Sequence, residues 1–269
     1  MVTPKILLAC PTYDGKSYCL DYWAEKVKEL QKVTPCDVLL VDNSKDENYA
    51  KKIRKYGFKV IRSKHYKKTI KSIGEAKKKL NEYFIKNNYD FHFSLEQDLF
   101  PEKDMLKKLI ADFKKIKENE AVIGAPYYYG SINDPEKHPF RTLGYISCIA
   151  KGLIYSRRYK RKIQNTMLSK ELEKKKGLVK AFAIGFGCCL IPISVIKKVK
   201  VKYSENNFKP DDAFFYQDLE RLNIPVYADV DLIKKIKHIP GSNAPDSNGL
   251  YSWSSKKKKK KSSSKVLNK

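Results

Sequence analysis

The chain reads as an α/β protein, a mostly parallel sheet flanked by helices. Three observations predict this. Over residues 5–95, short apolar runs alternate with amphipathic stretches of helical period, the order that a parallel sheet with helical crossovers requires. One apolar, aromatic run, Tyr89-Asp90-Phe91-His92-Phe93-Ser94-Leu95, ends directly on Glu96-Gln97-Asp98. That places carboxylates at the C-terminal edge of a strand, where open α/β sheets bind ligands. The longest apolar run, residues 181–193, holds two glycines and a proline and falls short of the ~20 residues that a bilayer crossing needs.

Each element follows from its pattern. Residues 5–10, apolar from Ile6 to Cys10, stop at Pro11, which predicts a strand and not a signal peptide. Residues 18–32 place Leu20, Trp23, Val27 and Leu30 on one helical face. Residues 37–41 form a second strand, 48–56 a short helix, 59–62 a third strand, 70–87 a long helix and 91–95 a fourth strand. A helix is expected after Pro101, over 103–117, and a strand over 121–124. The pattern then changes. Tyr127-Tyr128-Tyr129-Gly130 and Asn133-Asp134-Pro135 read as loop, and residues 156–176 are basic and sparse in apolar side chains. Residues 181–193 are apolar and glycine-bearing, 194–200 a short helix, 211–222 a helix after Pro210, and 226–228 a strand. From Pro240 onward Gly, Ser, Asn, Pro and Lys mark coil ending in low complexity.

With 269 residues, 42% of them hydrophobic, the chain suits one large domain or two tightly joined halves. Its six cysteines show no C-x-x-C spacing and sit mostly in apolar surroundings, so neither a disulfide framework nor a zinc site is indicated. The expected location is cytoplasmic. Formal net charge is +26, and setting aside the eight lysines beyond residue 255 leaves 48 cations against 30 acids, or +18. Such an excess favours an anionic partner (nucleic acid, a phosphorylated substrate or an acidic membrane), unless the lysines are simply solvated.

Four groups carry candidate chemistry. Glu96 and Asp98, at alternate positions, would face one side if the strand persists, and could hold Mg²⁺ or Mn²⁺ on a diphosphate. The competing reading is two solvated acids before Pro101. Asp211 and Asp212 suit the first turn of a helix, where the dipole favours acids, but with Ala213-Phe214-Phe215-Tyr216 following, one of them must lie near the apolar face. A partly buried Asp there could serve as a general base. Asp42, directly after the second strand, could accept from a nucleobase, or close an Asx-turn with Asn43-Ser44. His238 gains meaning only beside the acids. Gly185-Phe186-Gly187 lacks the third glycine of a dinucleotide fingerprint, and no P-loop or nucleophile elbow occurs.

In order along residues 5–238, these segments resemble family 2-type glycosyltransferases of the GT-A fold. Residues 5–15, ending in Pro11-Thr12-Tyr13-Asp14-Gly15, look like the family's opening strand and turn, which line the nucleotide pocket. Asp37 to Ser44 is similar to the second strand, whose terminal Asp contacts the base. Ile73-Gly74-Glu75-Ala76-Lys77-Lys78 stands where the family has A-R-N, with Lys77 in place of the Arg. Glu96-Gln97-Asp98 resembles D-x-D, with Glu for the first Asp. Residues 185–191 resemble the glycine-rich strand along the donor sugar, Pro210-Asp211-Asp212 the acidic pair holding the base, and residues 227–238 the last strand with its metal-binding His.

The resemblance implies an inverting, metal-dependent transfer of a sugar from a nucleoside diphosphate sugar to an acceptor hydroxyl, on a glycan or a lipid-linked molecule. It implies Asp212, or else Asp211, as base; Asp98, His238 and Glu96 as ligands of Mn²⁺ or Mg²⁺; and Pro11, Thr12, Tyr13, Asp42, Lys77, Gln97 and Gly187 around the donor. It also implies one GT-A domain over 1–245, with a nucleotide-binding half to 125 and an acceptor half from 126, followed by a basic tail over 246–269. That tail is expected to be disordered and could contact acidic membrane peripherally, or serve only solubility. Two rivals remain. A nucleic-acid-binding protein would need interleaved aromatic and basic residues, as in Tyr155-Ser156-Arg157-Arg158-Tyr159-Lys160-Arg161, and is not the expected reading. A GT-A-like nucleotidyltransferase would need a Gly- and Arg/Lys-rich loop after the first strand, and Pro11-Thr12-Tyr13-Asp14-Gly15 is not one.

Overall fold

The structure, a computed structural model, describes residues 3–118, 120–129, 145–146, 148–150, 153–156, 161–164, 174–204 and 211–238. The loop residues 133–135, most of the basic stretch 156–176, Pro210 and the tail from 246 lie outside the described residues, as do the side chains of residues 128–173 and of Asp211.

Among the described residues nine strands build one sheet with helices on both faces. β1 (Ile6–Thr12) pairs in parallel with β2 (Asp37–Asp42) and with β4 (Phe91–Leu95), and β2 in turn with β3 (Lys59–Arg62). The inner strands β1, β2 and β4 take the residues expected of them because each is largely apolar, as strands covered on both faces are, whereas β3 at the sheet edge is only half-buried. β1 shows why: Ile6, Leu8 and Cys10 enter one hydrophobic layer while Leu7 and Ala9 enter the other.

The first layer is filled by α1 (Leu20–Val33), α2 (Asn48–Arg54) and α4 (Met105–Phe113), with Trp23, Ile53 and Leu109 fully buried. The second is filled by α3 (Thr69–Lys86), α5 (Ile193–Lys198) and α6 (Asp211–Arg221), through Leu80, Phe84, Val195 and Leu219. Just beyond α3, Asn88 adopts a left-handed φ of 53°, which an asparagine tolerates.

The sheet is mixed beyond β4. β13 (Cys188–Pro192) inserts antiparallel between β4 and β6 (Val122–Gly124); β14 (Val226–Asp229) then runs parallel to β6. β12 (Leu178–Ile184) pairs antiparallel with β14 and with β9 (Cys148–Ala150). Thus β12 and β13, although consecutive, belong to different parts of the sheet, and the Gly185-Phe186-Gly187 turn carries the chain between them.

Other expectations need correction. The tyrosine segment read as loop contains β7 (Tyr128–Tyr129), paired with β8 (Tyr145–Ile146), and the basic stretch borders a ribbon of β10 (Leu153–Ser156) and β11 (Arg161–Gln164). Two short strands were not anticipated: β5 (Leu99–Pro101) and β15 (Ile236–His238), which pair antiparallel. Both are three residues long, too short for a hydrophobic period, and β5 ends on a proline. No helix among the described residues is long and apolar enough to cross a membrane.

Asp229, at the end of β14, is pushed up to about 6 by burial and by the Asp112 carboxyl of α4, with which it shares a hydrogen bond. An acid raised in the folded state contributes stability that is fully present below its unfolded value near 4 and lost as pH rises through about 6. Asp229→Asn should therefore gain on the order of 2 kcal/mol relative to the parent between pH 4 and 7. Denaturant melts at the two pH values check this; an unchanged difference refutes it.

Candidate active site

The site lies where the C-terminal ends of β1 and β4 meet the turn that follows β4. That strand ends at Leu95, so Glu96 and Asp98 do not continue it on one face as expected. The Leu99 N–H donates to the Glu96 carbonyl at 3.1 Å, closing a turn. A turn separates what a strand would have aligned. The Glu96 N–H donates to the Gly187 carbonyl at 2.9 Å, which ties this turn to the one between β12 and β13.

Gln97 is buried, and its Oε1 accepts from the Thr12 hydroxyl and, at 3.0 Å, from the Tyr49 hydroxyl. Gln97 and Thr12, expected beside the donor, link the two strand ends through this bond. The Gln97 amide nitrogen is buried with no hydrogen-bond partner.

Asp98 is 5% exposed. Its Oδ2 pairs with the Lys16 ammonium and faces His238 Nε2 at 3.5 Å; its Oδ1 is buried with no hydrogen-bond partner. Burial alone would raise this carboxyl, but the hydrogen bond with His238 and the charges of Lys16 and His238 outweigh it and hold it at about 2. Glu96 is half-buried, and burial, then the Asp98 charge, raise its carboxyl. His238 reaches Asp98 because the β5–β15 pairing sets His238 opposite Leu99, the residue after Asp98. The Tyr127 ring packs 5.4 Å from the imidazole.

Gly187 is required by this crowding: a Cβ there would lie 2.3 Å from Leu99 Cδ1 and 2.7 Å from the Tyr127 hydroxyl. Lys77, on α3, sets its ammonium 4.2 Å from the centre of the Phe186 ring, and its charge acts on Glu96. Pro11, Lys77, Phe186 and Phe215 line one apolar cavity. Phe186 also packs against Phe215 at 4.8 Å and Tyr216 at 5.9 Å, which brings the first turns of α6 to the far side of the glycine turn. Asp212 stands there, half-buried, its Oδ1 accepting from the Ala213 N–H at 2.7 Å, and its charge reaches the buried Tyr216.

Asp42 forms the Asx-turn that its sequence also allowed. It is fully buried: Oδ1 accepts from the Ser44 N–H at 2.9 Å and from the Ser44 hydroxyl at 2.5 Å, and Oδ2 pairs with Arg62. The Asx-turn reading is the one seen, so Asp42 shapes the loop, and Arg62, which sequence reasoning missed, neutralises it. Tyr13 is exposed at the rim. Lys16 was also missed; its only sequence signal was a lysine three residues beyond Tyr13, indistinguishable from the many others.

Among the described residues no three His, Cys, Asp or Glu side chains gather closely enough to hold a metal ion by themselves. The described geometry offers Asp98 with His238, and Glu96 alongside.

No known protein-family profile and no curated protein matches the chain. Solved structures similar to it include A197 from STIV, at 15% identity and a TM-score of 0.48, covering 91% of each chain. They also include S. aureus TarS, at 15% identity and a TM-score of 0.47 over 84% of this chain. A structure of TarS residues 1–349 gives the same values. This chain spans 36% of the first TarS chain and 60% of the second, less than two thirds of either. Likeness at this distance says nothing about chemistry.

Proposed function

We propose that the protein is an inverting glycosyltransferase that takes a nucleoside diphosphate sugar and an acceptor hydroxyl. One observation carries the reading. A buried carboxylate, Asp98, lies at the C-terminal edge of parallel strands with a histidine beside one oxygen and nothing on the other.

Such an orphaned oxygen fits a divalent cation, and a Mg²⁺- or Mn²⁺-type site on a diphosphate needs only one or two protein ligands, since phosphate oxygens and water complete it. Asp98 and His238 would be those ligands, with Glu96 direct or through water. When bound, the cation would neutralise charge on the departing diphosphate. Lys77 and Lys16 add positive charge beside Glu96, and Lys16 beside Asp98 as well. The acceptor oxygen attacks the anomeric carbon opposite the leaving group. As that bond forms, the bond to the diphosphate breaks and the acceptor proton passes to Asp212. A single displacement inverts configuration.

A thermal-shift panel of UDP-, GDP- and dTDP-sugars with and without Mn²⁺, beside a single-stranded oligonucleotide, tests the class. One nucleotide series should stabilise the protein, and more strongly with Mn²⁺. Stabilisation by the oligonucleotide alone would replace this reading with nucleic-acid binding.

A further inference from the structure

We infer that Lys16 makes cation binding and diphosphate binding depend on each other, by occupying Asp98 until a diphosphate draws it away. This rests on the nucleotide-sugar reading of the site. Lys16 ends a single helical turn, Asp14–Lys16, directly after β1. That turn is anchored: the Asp14 N–H donates to the Ser44 hydroxyl at 2.8 Å, the Lys16 N–H to the Tyr13 carbonyl at 2.9 Å, and the Cys19 N–H to the Lys16 carbonyl at 3.2 Å. The ammonium is therefore delivered to Asp98 by a fixed backbone, and it lands on Oδ2, the oxygen that also faces His238.

A pair built only for stability would use both carboxylate oxygens, because an unpaired buried acceptor is costly. Here Oδ1 is left without a partner, while Lys16 keeps a quarter of its side chain exposed and so has room to leave.

The charges make the case for coupling. Glu96 and Asp98 are balanced by Lys16 and Lys77, whose charges both act on Glu96. A divalent cation alone would meet the Lys16 ammonium at Asp98, and a diphosphate alone would meet two carboxylates. Arriving together they cancel, and Lys16 can pass from Asp98 to a phosphate oxygen without losing an anionic partner. The coupling must be reciprocal: whatever factor the diphosphate adds to cation affinity, the cation adds to diphosphate affinity.

Calorimetric titrations of the full chain and of Lys16→Met, with MnCl₂ alone, with UDP and GDP in EDTA, and with both, test this. In Lys16→Met, Mn²⁺ alone should bind about 10-fold tighter than in the parent, because the competing ammonium is gone. Diphosphate alone should bind about 10-fold weaker, and the mutual enhancement should shrink by about 10-fold or more. A merely structural lysine would weaken both ligands. Should Lys16→Met fail to fold, Lys16→Gln, which removes the ammonium charge while keeping a polar end, carries the same test. If the parent binds Mn²⁺ and nucleotide together but the variant's Mn²⁺ affinity is equal or weaker, the coupling role falls and the functional reading stands. If the parent binds no nucleotide at all, both fall.

Discussion

Asp212→Asn should lower sugar transfer by about 10³-fold or more while leaving donor affinity within a few-fold of the parent. The residue lies across the Gly185-Phe186-Gly187 turn from the Asp98 and His238 pair, so the proposed reading gives it no part in holding the diphosphate. Its Ala213 N–H contact fixes how the carboxylate is presented, and an asparagine oxygen can accept the same bond, so the fold should tolerate the change. What the amide cannot do is take a proton from the acceptor. Single-turnover transfer measured beside donor binding separates the two effects. Near-normal turnover, with the loss appearing in Asp211→Asn instead, would exchange the roles of the two acids.

Asp98→Ala should remove Mn²⁺-supported donor binding, by about 100-fold or more, because it deletes the carboxylate on which the cation reading depends. The variant also leaves Lys16 partly buried without its partner and should melt earlier. Asp98→Asn, which keeps the shape, isolates the binding effect from the stability effect. His238→Ala should fall in the same direction by a smaller factor, since the Asp98 carboxylate is still there for the cation. Equal donor affinity of Asp98→Asn and the parent, with and without Mn²⁺, would remove the metal from the reading.

Much of the first half was legible in the sequence for a physical reason. A strand buried on both faces must be apolar throughout, and a helix packed on a sheet must repeat its apolar positions. Leu7 to Cys10, and Leu20, Trp23, Val27 and Leu30, obey those rules. The details of the site were not legible because they depend on pairings that leave no local pattern. Nothing in Leu99-Phe100-Pro101 or Ile236-Lys237-His238 announces that they pair, yet that pairing puts His238 beside Asp98. The Glu96–Asp98 spacing misled for a related reason: alternate residues share a face only while the strand lasts, and β4 stops at Leu95. Asp42 was visible as a carboxylate at a strand end, but its buried partner Arg62 comes from the neighbouring strand, 20 residues on.

The insertion of β13 between β4 and β6 has a consequence for how the protein is made. Chain growth supplies β1 to β4 early, and those strands can pair as they emerge. Among the described residues, however, β6 has neighbours only in β13 and β14, which are synthesised at least 64 residues later. Until residue 192 is available, one edge of β4 stays open and β6 has no strand to join, so the nascent first half presents unpaired backbone of the kind that recruits foreign strands. The first half of the sheet is thus finished by strands from the second half of the chain. Cutting the chain near residue 125, where a sequence-based division into halves would fall, would yield two incomplete sheets instead of two working parts.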